Sequence, residues 1–362
     1  MPFINKKMTL ITSEPFWRQG AGCRTRLLTL VNYLSQHIQL NIIYLGTPAQ
    51  DDSTLPDHLE IPFSYISATN IHAEPQDEYL SQLTVFLSEN SHADIYLIDK
   101  AENSYVLDVL PDNAIKILDA DDLVHKRNNS MKKYGITDQY ELSSRQERAL
   151  FNRYNAIICI QKDEYNIARL WANTCTCLLV PHPVFANPQP LVNTPKRIGI
   201  IASGWHANIN GLDYFIKHVW PEFSNKLSLH IYGHAANAFT HINTPDIELH
   251  GFQENIAACY NNIDIVINPV FYGAGLKIKT VEAMAYGLPL ITTREGASGL
   301  TELSGQAFLI ADTAEQFIHQ INALLDDAQL RQRLTGYAQA YISEHMNEKH
   351  CFEPLIAYLT NC

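Results

Sequence analysis

The residues best suited to chemistry lie in the segment FYGAGLKIKTVEAMAYGLPLITTREGASG, residues 271–299. Gly273–Gly275 is predicted to open a helix, with Lys277 and Lys279 in its first turn and Glu282 about one turn further on. Glycines at a helix start let a ligand reach the free backbone N–H groups, and the helix dipole favours an anion there. A bound diphosphate would neutralise the two lysines. The alternative is an ordinary helix start in which Lys279 pairs with Glu282.

The elements around this segment predict an α/β fold. Apolar strand-like runs alternate with helical patterns along most of the chain, which indicates parallel sheets covered by helices on both faces. Predicted strands in the first half are 8–12, 41–46, 95–99, 115–119, 156–161 and 177–180, with helices near 24–37, 77–88, 138–154 and 163–171. In the second half, strands 197–202, 227–232, 247–249, 264–268, 288–292 and 308–310 alternate with helices 210–220, 254–261, 276–286, 313–326 and 329–345.

A cluster of prolines divides the chain into two domains. Pro181, Pro183, Pro188, Pro190 and Pro195 follow one another closely, which is typical of a linker. We predict an N-terminal Rossmann-like domain over residues 1–183, a hinge over 184–196 and a C-terminal Rossmann-like domain over 197–345. Residues 346–362 form a last segment that could cross back to the first domain. Two doubly wound domains would face each other across a cleft, where such folds bind ligands.

Composition narrows the class of protein. A length of 362 residues suits two domains, and a net charge of −12 argues against a general nucleic-acid binder. The N-terminus has no apolar stretch typical of a signal peptide, and no run of 18 apolar residues occurs. Seven cysteines, scattered and odd in number, fit neither a disulfide framework nor a zinc spacing. We therefore expect a cytoplasmic protein with reduced thiols.

One stretch, residues 123–153, departs from the acidic average and is called the basic segment below. It holds seven Lys and Arg residues against three acidic ones, a local charge of +4. A solvated helical face explains this pattern. The other interpretation is a surface for anionic lipid head groups or a charged acceptor, which would place the protein peripherally at the inner face of the membrane.

The stretch NPVFYGAGLKIKTVEAMAYGLPLITT resembles the signature of GT-B-fold glycosyltransferases of the large retaining family GT4. Upstream, GWHANINGLDYFIKHVWPEF, IYG and HGFQENIAACYNNIDIVINP fit the family's order and spacing, so that the resemblance covers roughly residues 197–310. In the N-terminal half it rests on Gly20-Ala21-Gly22, Arg24 and the strand that ends in Asp119-Ala120-Asp121-Asp122. The resemblance implies the GT-B fold and a C-terminal domain that binds a nucleotide-activated sugar.

The resemblance also implies roles for individual residues. Glu282 would accept hydrogen bonds from the ribose hydroxyls, and the backbone of the loop that holds Gly273, Gly275 and Leu276 would hold the diphosphate. Lys277 or Lys279 would add positive charge. The remaining implied contacts are with the base, at Gly251 and Phe252, and with the phosphates, at Gly204, His206 or Asn208.

Three positions depart from the family pattern. The usual motif has two glutamates separated by seven residues, and the first of them would fall at Ala274 in this chain. The carboxylate that commonly holds the donor sugar is therefore absent, as in a glycine-rich variant of the family. The loop at Gly204 lacks the usual Arg or Lys, and Asp121 stands where many members have a histidine.

Catalytic candidates follow the N-domain strand 115–119. Asp119, Asp121 and Asp122 are carboxylates at a strand end, placed to touch acceptor or donor hydroxyls, and His125 lies close to them in sequence. The resemblance implies that the departing phosphate helps to take the acceptor proton, so no dedicated base is required. Asp119-Ala120-Asp121 also spells the metal-binding DxD of GT-A transferases, although GT-B enzymes generally need no metal. Asp122 could instead cap a helix.

The N-terminal loop Gly20-Ala21-Gly22 precedes a predicted helix. Its backbone could come close to the donor's phosphates, and Arg24 or Arg26 could reach a phosphate with two hydrogen bonds. A flexible strand-to-helix turn with solvated arginines explains the same residues.

The sequence therefore predicts a retaining glycosyltransferase of hexosyltransferase type that moves a sugar from a nucleotide-diphosphate sugar to a glycan or glycolipid in surface polysaccharide or glycoconjugate synthesis. No cofactor, metal or nucleic acid is expected. Ala274 and Asp121 motivate an alternative, a catalytically inactive glycosyltransferase-like subunit. A GT-B-fold nucleotide-sugar epimerase is a second alternative. A nicotinamide oxidoreductase is disfavoured, because no strand is followed by GxGxxG with an acidic residue about 20 positions on.

Overall fold

A computed structural model describes residues 3–18, 20–46, 61–66 and 77–362, which form two compact units. Unit 1 contains the described residues up to 18, those from Cys23 to Pro181, and Phe352–Cys362. Unit 2 contains Gly20–Gly22 and His182–Cys351. The end of the predicted segment 346–362 thus belongs to unit 1.

Unit 1 is a parallel sheet with helices on both faces. Its strands are β1 (Ile4–Thr12), β2 (Ile38–Leu45), β3 (Phe63–Ile66), β4 (Ile95–Asp99), β5 (Ile115–Asp119), β6 (Ala156–Cys159) and β7 (Thr176–Leu179), in the order β3-β2-β1-β4-β5-β6-β7. Its helices are α1 (Gly22–Ser35), α2 (Asp77–Asn90), α3 (Val124–Lys132), α4 (Ser144–Phe151) and α5 (Lys162–Trp171). Strands β4 and β6 are buried along their whole length, because apolar clusters pack against both faces of the sheet.

The C-terminal helix contributes to the core of unit 1. This helix, numbered α11 below (Glu348–Asn361), buries Leu355 and Leu359 completely in one of the two apolar clusters. The ring of Phe352 lies 4.5 Å from that of Tyr33 on α1. Burial of two leucines of this kind contributes about 1.5–3 kcal/mol each, so the last residues of the chain stabilise the first unit.

Unit 2 is a second parallel sheet. Its strands are β8 (Arg197–Ile201), β9 (Ser228–Tyr232), β10 (Ile247–Gly251), β11 (Ile265–Asn268), β12 (Leu290–Thr292) and β13 (Leu309–Ile310), in the order β10-β9-β8-β11-β12-β13. Its helices are α6 (His206–His218), α7 (Ile256–Asn261), α8 (Ile278–Ala285), α9 (Ala314–Asp326) and α10 (Ala328–His345). Two doubly wound parallel sheets confirm the predicted fold class.

Several boundaries differ from those predicted. The expected helix over 138–154 is confined to α4, which begins at a capping box made by Ser143 and Gln146. Strand β3 and helix α3 were not predicted at all. The backbone N–H groups of Val124 and His125 donate to the carboxylate of Glu147, at 2.7 and 3.0 Å. The free N–H groups at the start of α3 therefore find their hydrogen-bond acceptor on a side chain that is distant in sequence, which no local pattern in the sequence of α3 reveals.

Two helical glycines in unit 2 provide a matched test of packing. A Cβ added at Gly211 on α6 would lie 2.0 Å from the carbonyl oxygen of Pro269, whereas one added at Gly336 on α10 would meet nothing within 4 Å. We expect Gly211→Ala to lower the free energy of unfolding by about 1–3 kcal/mol or more. Gly336→Ala should raise it by about 0.4–1 kcal/mol. Urea denaturation of both variants checks this, and a Gly211→Ala variant as stable as the wild type would contradict the packing.

Within the described ranges, no helix is both long and apolar enough to cross a membrane.

Candidate active site

The strand order of unit 2 locates its candidate site. From β8 the chain adds β9 and β10 on one side of the sheet, and β11, β12 and β13 on the other. The order therefore reverses between β8 and β11, and doubly wound sheets bind ligands outside the carboxyl ends of strands at such a point. The loop after β8 contains Gly204 and leads to α6, whereas the loop after β11 contains Gly273–Gly275 and leads to α8.

The glycine-rich loop after β11 has a backbone that requires glycine. Gly273 and Gly275 adopt φ values of +138° and +72°, in the region that other residues rarely enter. A Cβ at Gly273 would also lie 2.7 Å from the indole of Trp205. Helix α8 begins only at Ile278, so the prediction that the glycines open the helix and that Lys277 lies in its first turn is wrong.

Lys277 holds this loop in place. Its ammonium donates to the carbonyl oxygens of Ala274 and Gly275, at 2.9 and 3.2 Å, and pairs with Glu295 at 2.8 Å. The side chain is buried. Because Glu295 already balances its charge, Lys277 shapes the backbone, and its predicted contact with a phosphate stays a prediction.

Lys279 has a different environment. It lies in the first turn of α8, half-buried, and its ammonium donates to Oδ1 of Asn208 on α6. Among the described residues no carboxylate forms an ion pair with it, so the expected pairing with Glu282 is not present. Burial, together with the nearby charge of Lys277, lowers the pKa of Lys279 to about 7. An anion bound here would supply the opposite charge that this ammonium lacks.

Asn208 connects the two helices that follow the switch point. Its amide nitrogen donates to the carbonyl and hydroxyl oxygens of Ser203, at 3.0 and 3.1 Å, in the loop after β8. Its amide oxygen accepts from Lys279 on α8. Asn208 therefore orients the amine of Lys279 with respect to the loop that holds Gly204.

Glu282 lies one turn beyond Lys279 on α8, half-buried. Its Oε2 accepts a hydrogen bond of 3.1 Å from the hydroxyl of Tyr260, which is fully buried and stacks on Tyr286. Burial raises the pKa of Glu282 to about 7, although Tyr260 and Lys279 oppose this shift. A lysine and a glutamate with pKa values shifted toward each other at one helix end are typical of a functional site.

The start of α6 carries the predicted His206. Its Nδ1 lies 2.9 Å from the hydroxyl of Tyr272, which also accepts from Asn210 at 2.7 Å. The His206 and Tyr272 rings stack with centroids 5.5 Å apart. Tyr272 immediately precedes Gly273, so this contact joins the start of α6 to the glycine-rich loop. A Cβ at Gly204 would meet only ordinary contacts, the nearest at 3.7 Å.

The turn after β10 contains the residues predicted to border the base. Gly251 adopts φ +66°, and its carbonyl oxygen accepts from the N–H of Gly233 at 2.7 Å. The ring of Phe252 is partly exposed and stacks on His234 at 5.1 Å. The structure therefore presents an open aromatic face at this turn, next to the carboxyl ends of β9 and β10.

The four catalytic candidates in unit 1 are held in different ways. Asp119 is buried and pairs with Arg26 at 2.6 Å, and burial raises its pKa to about 6 despite the opposing guanidinium. Asp122 pairs with Arg127 at 2.7 Å, and burial raises its pKa to about 7. The Nδ1 atom of His125 lies 2.7 Å from the carboxylate of Glu147.

Two expectations about these residues are wrong. Asp122 does not cap α3, whose N-cap is Leu123. Arg26, expected to be solvated or near a phosphate, is buried against Asp119. This guanidinium also supplies the positive charge that a metal would bring to a DxD motif, which disfavours that alternative.

Asp121 differs from the other three catalytic candidates in its backbone conformation and in how its side chain is held. It adopts φ +59°, which is costly for a residue with a Cβ, and Lys100 after the neighbouring strand β4 does the same with φ +66°. Among the described residues, no carboxylate–cation pair holds the side chain of Asp121. Left-handed backbone at the carboxyl ends of two adjacent strands makes this the strained edge of unit 1.

In the predicted N-terminal loop, the two glycines differ in their backbone positions, and Arg24 forms an ion pair. Gly20 adopts φ +102°, and Gly22 begins α1. Arg24 donates to Glu14 at 2.7 Å, and Glu14 also pairs with Lys100 at 2.5 Å. Arg24 thus has a carboxylate partner within unit 1.

Carboxylates neutralise much of the basic segment. Arg127 contacts Glu102, Asp122 and Asp138, each at 2.7 Å. Lys126, Lys132 and Arg153 pair with Glu164, Glu141 and Asp108. The local positive charge counted from the sequence is therefore smaller in the folded protein.

Several residues that shape these sites were not predicted. Tyr260, Tyr272 and Glu295 orient the predicted residues of unit 2, and Glu14 does so in unit 1. Tyr260 and Tyr272 lie within the stretches that carry the resemblance, and Glu295 lies within residues 271–299, but no local pattern reveals which side chains they contact. A cleft of about 340 Å³ at the start of β8, β9 and β10, lined by Lys196, Leu227 and Asp246 among others, lies at the opposite edge of the sheet from the predicted ligand contacts.

Two sequence comparisons relate parts of the chain to known proteins. Residues 195–327 match the sequence family described as glycosyl transferases group 1. A Klebsiella pneumoniae protein described as an uncharacterized 44.6 kDa protein in the cps region is 24% identical over 161 residues, which cover 41% of this chain and 42% of that protein. The match thus spans less than half of that relative's length.

Solved structures match almost the whole chain at low identity. TarM superposes with a TM-score of 0.75 and 13% identity over 100% of both chains. Sucrose-phosphate synthase from Thermosynechococcus elongatus gives 0.72 and 13%, over 99% of this chain and 98% of that one. HepE from Anabaena, in complex with UDP and glucose, gives 0.68 and 13% over the same shares.

The chain therefore has the fold of GT-B glycosyltransferase structures. Within this fold, residues 195–327, which contain the switch point, α8 and both lysines, match the family described as glycosyl transferases group 1. At 13% identity the structural matches support the fold alone. Membership of GT4 and of its glycine-rich variant stays a prediction.

Proposed function

We propose that this protein transfers a sugar, with retention, from a nucleotide-diphosphate sugar to a hydroxyl of a glycan, glycolipid or similar acceptor. The observation that carries the proposal is the pair Lys279 and Glu282 at the start of α8, beside the switch point. The half-buried ammonium forms no ion pair with a carboxylate among the described residues, which suits a diphosphate, and the half-buried carboxylate one turn away suits ribose hydroxyls.

The proposed chemistry assigns each group a task. The bond between the anomeric carbon and the diphosphate oxygen breaks, and the acceptor oxygen bonds to that carbon on the same face. Lys279 and the N–H groups at the start of α8 stabilise the charge that grows on the departing diphosphate. The acceptor proton passes to a departing phosphate oxygen. Asp121 is the carboxylate best suited to position a hydroxyl, since ion pairs hold Asp119 and Asp122.

The ligands of similar proteins guide the choice of the first donors and acceptors to test. Structures of HepE contain UDP or UDP-glucose, and one of Staphylococcus aureus TarM contains UDP and alpha-GlcNAc-glycerol. WaaG, another match, is described as involved in lipopolysaccharide biosynthesis. UDP-sugars and surface glycans are therefore the first substrates to test.

A screen of UDP-, GDP-, ADP-, dTDP- and CMP-sugars by thermal shift, combined with turnover assays, tests the proposal. A donor at about 100 times its dissociation constant should stabilise the fold by about 2.7 kcal/mol. If no nucleotide sugar raises the melting temperature, the proposal is wrong. Binding without turnover over a panel of acceptors would favour the inactive subunit, and interconversion of the donor without an acceptor would favour the epimerase.

Donor affinity is expected to be greatest near pH 7. The binding form needs Glu282 ionised and Lys279 protonated, and both pKa values lie at about 7. Below pH 7 Glu282 gains a proton, and above pH 7 Lys279 loses one, so affinity falls on both sides by up to about tenfold per pH unit. Calorimetric titration with a UDP-sugar across this range measures the effect. In Glu282→Gln the fall of donor affinity below pH 7 should disappear, whereas the fall above pH 7 should remain. If the affinity of the wild type does not change with pH, Glu282 and Lys279 do not bind the donor in the proposed way.

Peripheral contact with an anionic membrane is a separate proposal, and the ion pairs of the basic segment weaken it. Co-sedimentation with vesicles rich in phosphatidylserine tests it. We expect, at most, weak binding that salt abolishes. No sedimentation at low salt would end this proposal without affecting the proposed reaction.

A further inference from the structure

Three potential metal ligands meet on the edge of the unit 2 sheet. Glu248 on β10 lies opposite His230 on β9 in the strand register. The register then shifts, because Leu249 pairs with Ile231 but Gly251 pairs with Tyr232, so His250 is the extra residue of a β-bulge. Bulges of this kind change the direction of a side chain and are common near functional sites.

The three side chains share one sheet face, and the other face belongs to the core. Oε2 of Glu248 lies 3.7 Å from Nε2 of His250, and the His250 ring stacks on that of His230 with centroids 5.2 Å apart, so the three side chains lie together. Leu229 and Ile231, which alternate with His230 along β9, are fully buried in the apolar cluster of unit 2. His230, Glu248 and His250 therefore lie on the face of the sheet opposite that apolar core.

The distances between donor atoms suit one small cation. Nδ1 of His230 and Nε2 of His250 share a hydrogen bond of 3.0 Å, in which one ring nitrogen lends its lone pair to the other, and Oε2 of Glu248 lies 3.7 Å from each of these nitrogens. An ion held tetrahedrally at about 2.0–2.1 Å from its ligands separates them by about 3.4 Å. The three observed separations bracket that value. The carboxylate is also too far away to form a hydrogen bond with either ring.

Neighbouring groups orient both imidazoles. Nε2 of His230 lies 2.8 Å from the hydroxyl of Ser228. If Nε2–H donates to that hydroxyl, Nδ1 keeps its lone pair, which is the usual arrangement for a metal ligand. The His250 ring stacks on Tyr232 with centroids 4.2 Å apart. Arg197, on the strand β8 next to β9, is paired with Asp264 at 2.5 Å.

We propose that His230, Glu248 and His250 bind a divalent transition-metal ion of the zinc type, through Nδ1, Oε2 and Nε2, with water in the remaining position. Two histidines and one glutamate form a known zinc ligand set. Imidazole ligands favour zinc, nickel or copper over magnesium and calcium. The bound ion fastens the edge strand β10 to β9 and thereby fixes the turn at Gly251 and Phe252. No step of the proposed reaction takes place on this ion.

Isothermal titration of the chelator-treated full-length protein with Zn²⁺ tests the site. We expect one tight site, which is weakened at least about 10- to 100-fold in His250→Gln and in Glu248→Gln. His241→Gln is the matched control, since His241 is an exposed histidine in the same unit outside the cluster. It should bind like the wild type. Mg²⁺ should not bind at all.

Two further measurements separate this site from other zinc binding. Zn²⁺ should raise the melting temperature of the wild type and of His241→Gln but not that of His250→Gln. Seven free cysteines could also bind zinc, so the Co²⁺ derivative should show tetrahedral d–d bands without thiolate-to-cobalt charge transfer. Unchanged zinc affinity in both cluster variants, or strong charge-transfer bands, would overturn the proposal. Circular dichroism of the metal-free variants verifies their folding, and Glu248, largely exposed, tests the site without disturbing packing.

Discussion

Glu282→Gln is expected to weaken binding of the nucleotide-sugar donor by about 100-fold or more. Each ribose hydroxyl that donates to the ionised carboxylate contributes about 1.5–3 kcal/mol, and the neutral amide accepts such bonds less well. The substitution keeps the shape of the side chain, so the packing of α8 against Tyr260 should survive. Calorimetric titration with the donor found in the screen measures the loss.

Tyr260→Phe is the control for this experiment. It removes the hydroxyl that donates to Oε2 of Glu282 but leaves the carboxylate in place. Because the hydroxyl only orients Glu282, donor affinity should fall by less than about tenfold, the value of one ordinary hydrogen bond. If Tyr260→Phe weakens binding as strongly as Glu282→Gln, or if Glu282→Gln binds like the wild type, Glu282 does not contact the donor.

Lys279→Met is expected to lower kcat by about 100- to 1,000-fold. The substitution removes the ammonium that stabilises the charge growing on the departing diphosphate, and removal of one such donor typically has this effect. The ammonium is desolvated in the free protein, as the lowered pKa indicates, so the uncharged variant should be no less stable than the wild type. Steady-state kinetics combined with thermal melting measures both quantities.

The neighbouring lysine gives the contrasting variant. Lys277→Met removes an ion pair with Glu295 and two hydrogen bonds to the glycine-rich loop. It should therefore lower the melting temperature, because it leaves a carboxylate and two carbonyl oxygens without their donor. If Lys279→Met destabilises the fold as much as Lys277→Met, or leaves kcat unchanged, the two roles have been assigned wrongly. Lys217→Met, at an exposed position on α6, should change neither quantity.

Local patterns predicted the elements that are buried on both faces. Strands β4, β6 and β11 are apolar apart from the final Asp99 of β4 and the final Asn268 of β11, since helices cover both faces of a parallel sheet. Helix α3 was missed, because its sequence VHKRNNSMK has no apolar periodicity and its first N–H groups bond to Glu147. Elements that depend on distant partners cannot be recognised from their own residues.

In the candidate site, too, the features that are local in the sequence were predicted. The order of the motifs placed Glu282, Lys279 and the glycine-rich loop together, because they lie within ten residues on one loop and one helix. The positions of Gly273 and Gly275 at positive φ also follow from residue type, since glycine alone adopts them at little cost. These features are local, and a sequence can specify them.

By itself, the sequence determined the two parallel α/β units, the place of the glycine-rich loop between β11 and α8, and the residue types available at the start of that helix. Only the tertiary structure decided which charges are already paired. Lys277 pairs with Glu295, Arg26 with Asp119 and Arg127 with Asp122, whereas Lys279 contacts the neutral Asn208. The reason is physical: charge pairing and desolvation depend on distances of a few ångströms between residues far apart in the chain.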